Sequence, residues 1–542
     1  MRSASDPQAS DLSLARLPPM PRKIQLNEQQ QLAVDFALKA GAHPSRLVGA
    51  IKGAAGTGKT VALTRIADLY AETWGGQSIL FAAPTHKACG VLGKQISGWK
   101  TGVEVVTVAR LTGVSAGKSY DMDAFGQLED RAAKSFEKYK GKVKTLIVDE
   151  SSMVKQSDAD LLDALTKRFD INLIFTGDEY QLPPVKVACK DGSDDGEEEN
   201  LEESEFDTFD KMCSQFIATS GTEINLTEVV RQKPGPLLRY ATEIRQDFKR
   251  EWSYPSESKY EHRSTSYEVT GSEQEWFNLF VASVKGVYKD KARAVAWKNA
   301  NVDYIAKRLR QELYGDASQE GWLVGERIVF PKYTDCMMPL SLDSVQRLGF
   351  LATSYEAEIT ESEFIELDIE FPSFSHEFTR AGLVEFSLHL RGCFQMLTLI
   401  SLWNGSEAQI MAPCMDCEDA KASYREYAEQ RKRWFDNKWN KVTGFKDWAE
   451  EYLYNFKRCF PSILPINVGT VHKSQGSSFH RVFIYKDLEE CKKCERNPLI
   501  YVASTRPTDS AFFLKEGSTS RFLEHHRVTL QSLQSRPLFE QR

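Results

Sequence analysis

The sequence is poor in the features that mark several protein classes. Ten cysteines in 542 residues are too sparse for a disulfide framework and suit a reducing compartment. No apolar run approaches the ~18–20 residues that cross a bilayer, which excludes a helical membrane protein. Residues Met1 to Arg22 lack a continuous apolar stretch and carry Asp6, Asp11 and four prolines. They read as a disordered tail and not as a signal peptide. No internal repeat is visible, and low complexity is confined to one acidic run. What remains is an ordinary globular composition, 41% hydrophobic and 27% charged, at a length that suggests three or four domains of roughly 100–200 residues each.

Excess basic charge is also missing, since the chain totals −7. The distribution matters more than the total. Between Lys190 and Asp207 lie ten acidic residues and one basic residue. That segment carries −9, so the rest of the chain stands at +2 and a nucleic-acid partner is not excluded. The run itself reads as a solvated loop.

Short apolar runs alternate with helical patterns in the first half. Arg46 to Ile51, Ser78 to Ala83, Thr145 to Val148 and Asn172 to Thr176 look like buried strands. Val61 to Thr73 and Asp158 to Arg168 look like helices. Such alternation predicts a parallel sheet covered on both faces. A second set (Arg293 to Trp297, Arg481 to Tyr485, Ala511 to Leu514, with a helix over Val302 to Tyr314) predicts a second α/β domain. Its interruption, Pro331 to Phe460, opens β-rich around Ile359 to Phe371 and closes in a basic, aromatic, helical stretch from Ala420 to Phe456.

The strongest chemical signal is Gly53-Ala54-Ala55-Gly56-Thr57-Gly58-Lys59-Thr60, between a predicted strand and a predicted helix. Glycines at these places let backbone N–H groups close around phosphate oxygens, and the helix N-terminus adds partial positive charge. Lys59 then reaches the β- and γ-phosphates and Thr60 ligates Mg²⁺. The predicted strand Leu146 to Val148 ends in Asp149 and Glu150, which suit the Mg²⁺ shell and the polarisation of an attacking water. A water-activating base indicates hydrolysis and not phosphoryl transfer to a substrate, since a kinase has no use for one. Gln181, after the next predicted strand, is placed to orient the water or sense the γ-phosphate; a plain turn with prolines fits that segment equally well. A GTPase is disfavoured by the lack of an Asn-Lys-x-Asp motif.

Nine blocks in order complete the pattern. They are Leu26 to Gln30, the P-loop, Ala83-Pro-Thr-His86, Val148 to Met153, Gly177 to Gln181, Leu226 to Arg231, Val324 to Val329, Thr470-Val-His-Lys-Ser-Gln-Gly476 and Tyr501-Val-Ala-Ser-Thr-Arg506. Over residues 24 to 515 the chain resembles superfamily 1 helicases of the RecD-like, 5′→3′ branch, most closely a bacteriophage member. The resemblance implies an α/β fold of two RecA-like P-loop motor domains with parallel sheets, a pin inserted in the first and a β-barrel and helical insertion in the second. The boundaries expected are a tail over 1–22, the first motor over 23–232 with a pin at 112–142 and the acidic loop at 190–207, the second motor over 233–330 and 460–525, the insertion over 331–459, and a tail over 526–542.

The resemblance also assigns roles. Gln30 is implied to read adenine, with Gln475 and Gly476 adding to the nucleotide site. Arg231 and Arg506 are implied to be arginine fingers supplied across the cleft, a role worth ~10³–10⁵ in rate. Pro84, Thr85, His86, Thr470 and His472 are implied to contact single-stranded DNA, and Phe125 or Tyr120 to wedge the duplex. Two departures stand out: Thr107-Val-Ala109-Arg110 lacks the family's histidine, and Pro507 follows Arg506. The implied activity is an ATP- and Mg²⁺-dependent DNA helicase acting on single-stranded and forked DNA as a cytoplasmic monomer, in the host cytoplasm if phage-encoded. A single-stranded-DNA-binding protein or replisome components are the further partners such a motor would meet. The competing reading is a single-strand-binding scaffold with ATPase but no strand separation. Two features stay open: interleaved aromatic and basic residues around Trp434, Trp439, Trp448 and Tyr452 suit either a DNA platform or helix packing, and the pairs Cys414/Cys417 and Cys491/Cys494 suit zinc or, more simply, unrelated thiols.

Overall fold

The mostly apolar runs become the strands with no exposed face. In the computed structural model, which describes residues 25–96, 102–113, 125–183, 222–341, 344–378, 382–436, 452–491 and 493–519, the first sheet contains β1 (Val48–Gly53), β2 (Ile79–Ala83), β3 (Glu104–Thr107), β4 (Thr145–Val148), β5 (Asn172–Gly177) and β6 (Thr222–Leu226). All are parallel, in the order β3-β2-β4-β5-β1-β6. Every residue of β2, β4 and β5 is buried, as expected for strands covered by helices on both faces. Helix Glu28–Ala42 starts in a capping box, with Asn27 and Gln30 each accepting the other's backbone N–H.

The second motor repeats this plan. Strands β7 (Ser266–Thr270) and β8 (Ala292–Ala296) are joined after a long insertion by β16 (Val468–Thr470), β17 (Phe479–Ile484) and β18 (Pro507–Leu514), in the order β16-β8-β17-β18-β7, again all parallel. Trp276, fully buried on helix Glu273–Lys285, packs edge-on to Phe483 and donates its indole N–H to the Phe512 carbonyl at 3.1 Å. The proline after Arg506 heads β18, where a strand tolerates a missing N–H.

The insertion is mostly antiparallel. Strands β9 (Arg327–Phe330), β12 (Tyr355–Phe378), β13 (Gly382–Ser401), β14 (Glu407–Pro413) and β15 (Leu464–Pro465) form one sheet, and β10 (Thr334–Ser341) pairs with β11 (Ser344–Leu351) as a separate hairpin. Its sheet thus starts at Arg327, ahead of the break the sequence suggests at Pro331. Helix Glu418–Asp436 lies against β13, and Tyr452 and Phe456 are buried over Phe371. Tyr452 is therefore a packing residue, its hydroxyl accepting the Leu388 N–H at 3.1 Å. The side chains of Trp434, Trp439 and Trp448, the acidic run 190–207, Tyr120 and the Phe125 side chain lie outside the described residues.

A buried ion pair fastens the insertion to its motor. Arg310, on helix Asn299–Tyr314, donates to both oxygens of Glu326 at 2.9 and 2.7 Å. It also stacks over Trp322 at 4.3 Å. Both charged residues are at most 4% exposed. Cys414 and Cys417 gather with Cys393 in the insertion, the Cys393 and Cys414 sulfurs 2.8 Å apart, whereas Cys491 is buried in the second motor. Among the described residues no group of His, Cys, Asp or Glu is arranged to hold a metal ion, and no helix is long and apolar enough to cross a membrane.

Removing one member of a buried pair strands the other charge. Glu326→Ala is expected to cost about 3–5 kcal/mol, read as an earlier thermal transition. The double substitution Arg310→Met/Glu326→Leu removes both charges together and is expected to cost far less.

Candidate active site

Both glycines that shape the P-loop adopt left-handed backbone angles, Gly56 at φ 86° and Gly58 at φ 80°. A Cβ on Gly56 would lie 2.9 Å from that of Arg231, and one on Gly58 would lie 2.4 Å from the Gln30 amide nitrogen. Only glycine fits either place. The turn delivers Lys59 as the first residue of helix Lys59–Trp74, its ammonium donating to the Gly53 and Ala54 carbonyls at 2.6 and 3.2 Å. Burial pushes the Lys59 ammonium down from its ordinary value, opposed by Asp178, Glu150 and Asp149.

Asp149 and Glu150 sit at the end of β4, two strands from β1. Thr176 donates to Asp149 at 2.8 Å. Burial, then the neighbouring Glu150, pushes the Asp149 carboxyl up to about 6. Glu150 holds a left-handed φ of 51°, uncommon outside glycine, and one of its oxygens is buried without a partner. The Gln181 amide donates to Asp178 at 3.3 Å and leaves its own oxygen buried and unpartnered. Orphaned acceptors such as these mark a site shaped for something further.

A cleft of about 320 Å³ brings together Ala55, Gly56, Gly58, Lys59, Thr60, Asp149, Glu150, Gln181, Arg231, Gly476 and Arg506. The two arginines reach it differently. Arg231 follows β6 and its backbone N–H donates to the Gly56 carbonyl at 3.0 Å, so it hangs from the first motor. Only Arg506, after helix Lys493–Thr505, crosses from the second; the expectation that both cross the cleft is corrected. Arg506 is 1% exposed and donates to the Val502 and Ser477 carbonyls and to the Thr505 hydroxyl. Burial, then Arg231, pushes it down to about 10, so it remains cationic at neutral pH.

Five expected nucleotide residues stand off this cleft, Gly53 and Ala54 among them as the carbonyls that hold the Lys59 ammonium. Gln30 is buried and donates to the Thr57 carbonyl at 3.0 Å, so it props the P-loop from behind. Gln475 is buried with both amide atoms unpartnered. Thr57 caps the loop internally, donating to Ala54 at 2.9 Å.

The expected DNA residues fall on the second motor's β16 end and the facing helix of the first. Pro84 and Thr85 follow β2, and the Thr85 hydroxyl accepts the Ala88 N–H at 3.1 Å at the start of helix His86–Ile96. His86 is exposed. Thr470 caps the short helix Val471–Ser474, and burial holds the His472 imidazole down at about 4, neutral at working pH. Lys87, beside His86, donates across the motors to the Lys473 carbonyl at 2.9 Å. Arg110 is exposed and 3.9 Å from Glu104, an ordinary surface pair.

Sequence reasoning passed over Tyr501. Its hydroxyl donates to Asp178 at 2.8 Å and accepts the Ala55 N–H at 3.3 Å, joining second motor to P-loop. Burial, then Asp178, raises its pKa well above the ordinary tyrosine value, so the donor proton is retained. The signal was present as a polar tip opening an otherwise apolar stretch, Tyr501-Val-Ala.

A carboxylate pair, three cations and a glycine-rich turn facing one cleft between two parallel sheets define a P-loop nucleotide hydrolase built from two motors. A family model described as AAA domain matches residues 25–189. The ATP-dependent DNA helicase dda of Enterobacteria phage T4 is 24% identical over 499 residues, 90% of this chain and 99% of that protein. The uncharacterized protein R530 of Acanthamoeba polyphaga mimivirus is 21% identical over 90% of this chain and all of that one. Among solved structures, the crystal structure of Pif1 helicase from Candida albicans covers 94% of this chain and 99% of its own at 14% identity and a TM-score of 0.48. In sequence and in the order of its motifs the chain is thus similar to proteins named as ATP-dependent DNA helicases, Dda of phage T4 over most of its length and yeast PIF1 over 142 residues.

Tyr501→Phe tests the cross-motor bond. A hydrogen bond to a charged group contributes about 1.5–3 kcal/mol, so kcat for ATP is expected to fall about tenfold with KM nearly unchanged. A rise in KM at constant kcat would place Tyr501 in ground-state binding instead.

Proposed function

We propose that this protein is an ATP-dependent DNA helicase that moves 5′→3′ along single-stranded DNA and opens forked duplexes. The observation that carries the reading is the meeting of Arg506 with Lys59, Glu150 and Arg231 in one cleft, because a cation supplied by the second motor makes hydrolysis depend on how the motors close.

The residues fit a nucleoside triphosphate with a divalent ion. Lys59, Arg231 and Arg506 offset charge on the γ-phosphate, a purpose for which buried guanidiniums are suited. Glu150 takes a proton from the attacking water, and Gln181 orients that water through its free amide oxygen. Thr60 and Asp149 would hold Mg²⁺, which would offset negative charge on the phosphates. A buried carboxylate with a raised pKa is relieved by a divalent cation, and this supports the assignment. The Lys87–Lys473 and Tyr501–Asp178 bonds are the links through which closure would change grip on the strand.

Lys59→Ala is expected to abolish ATP turnover in a folded protein. Glu150→Gln is expected to bind ATP and lose at least about a hundredfold in turnover, the lower range for a general base; comparable turnover in wild type and variant would remove Glu150 from that role.

Direction is tested by strand displacement on two forks that differ only in a 5′ or a 3′ single-stranded tail. Displacement is expected with the 5′ tail alone. A requirement for the 3′ tail overturns the direction, and DNA-stimulated hydrolysis without displacement on either fork favours the scaffold reading.

A further inference from the structure

The insertion carries an exposed aromatic cluster that neither the nucleotide cleft nor the motor packing uses. Tyr333 precedes β10 and Phe350 lies near the end of β11. Their rings stack with centroids 5.2 Å apart and planes at 21°. Even so, Tyr333 remains 44% exposed and Phe350 56%. Tyr454, 47% exposed, stands on the helical segment beside them.

Charge around these rings is organised by a single buried group. The Asp335 side chain, 2% exposed, binds Arg347 through one oxygen and Arg458 through the other, the latter at 2.8 Å. The Arg458 guanidinium lies 4.2 Å from the Tyr454 ring centre and that of Arg347 5.9 Å from Phe350. Arg347 also donates to the Tyr333 hydroxyl at 2.8 Å. Asp335 offsets one of the two guanidinium charges, and exposed Lys332 restores a second positive charge to the surface.

Position supplies the ligand. The Lys473 ammonium donates to the Pro331 carbonyl, two residues before Tyr333. Two extended residues span roughly 7 Å, about one nucleotide step, so the rings begin about one such step beyond the Thr470–Lys473 segment. A cross-strand aromatic pair alone would explain the stacking, but not the third exposed ring or the arginines fixed between them. Protein-docking patches are depleted of lysine, whereas Lys332 stands exposed beside these rings. Aromatic faces interleaved with cations suit the bases and phosphates of an unpaired strand.

We propose that Tyr333, Phe350 and Tyr454 form a base-stacking platform for single-stranded nucleic acid, with Arg347, Arg458 and Lys332 against its phosphates. This rests on the reading that Thr470 and His472 contact the strand.

The test uses the full chain and the double variant Tyr333→Ala/Phe350→Ala, with a fluorescent twenty-nucleotide oligothymidylate and its abasic counterpart. The variant is expected to bind oligothymidylate about tenfold more weakly, with the same dependence of affinity on salt because no charge is removed. Its kcat for ATP at saturating DNA and its melting temperature are expected to match wild type, both proteins to bind the abasic strand equally, and Tyr333→Phe/Phe350→Tyr to restore binding. Equal affinity of wild type and variant for oligothymidylate overturns the platform while leaving the motor reading intact, as does a change confined to self-association. If oligothymidylate fails to stimulate ATP hydrolysis by the wild type, the motor reading falls and the platform with it.

Discussion

The joint between the motors depends on satisfying one carboxylate that has no exposed surface. Asp178 receives donors from Gln181 in its own turn and from Tyr501 in the second motor, with Arg245, on helix Pro236–Gln246, at 3.7 Å. An ionised carboxylate taken from water costs several kcal/mol unless such donors surround it. Parting the motors at this edge would strip Asp178 of its second-motor partners, so the edge resists opening. Lys59 feels the same charge, as its shift records. Asp178 therefore couples three things: the pose of Gln181, the electrostatics of Lys59 and the spacing of the two sheets.

Two further contacts brace the arrangement from the opposite side. Lys87 reaches the Lys473 carbonyl, and the Trp403 ring packs 3.3 Å from where a Cβ on Gly90 would lie. Trp403 is itself held to Glu356 of β12 by its indole N–H at 3.3 Å. Helix His86–Ile96 is thus touched by the second motor near its start and by the insertion one turn on. A movement of that helix would be felt by both.

The parts legible in the sequence were those set by local pattern. Strands β1, β2, β4 and β5 were visible as apolar runs because both their faces are buried, and the P-loop was visible because its glycines answer a backbone requirement. Strand β6 was not visible: Thr222-Glu-Ile-Asn-Leu226 has one buried residue and joins the sheet only by pairing with β1. The attachment of β9 to the insertion depends on partners at Tyr355 to Glu358 and at Leu464 and Pro465, which no local pattern reveals. Gln30 illustrates the same limit within the site, since its residue type suits a base while its amide is committed to Thr57. Aromatic and basic interleaving between Ala420 and Phe456 could not tell an exposed ring from a buried one; Phe456 is wholly buried and Tyr454 is not.

The strand order of the second motor has a kinetic consequence. β7 and β8 do not pair with each other; among the described strands β7 pairs with β18 and β8 with β16 and β17, the other edge of β7 being bridged to Lys259. All of those partner strands follow the insertion, so β7 and β8 emerge during synthesis with edges that no strand yet made can pair, although Lys259 already bridges one side of β7. The gap from β8 to β16 is about 170 residues, and at roughly 5–20 residues per second it lasts on the order of ten to thirty seconds. The insertion has its own sheet and core, with β9 and β15 adjacent at its two ends, so it can condense in that interval and draw the late strands to the early ones. Nascent-chain handling, and with it the risk of edge-to-edge aggregation, is therefore concentrated in one motor: the first closes its sheet by Leu226, while the second must wait for the insertion to bring its halves together.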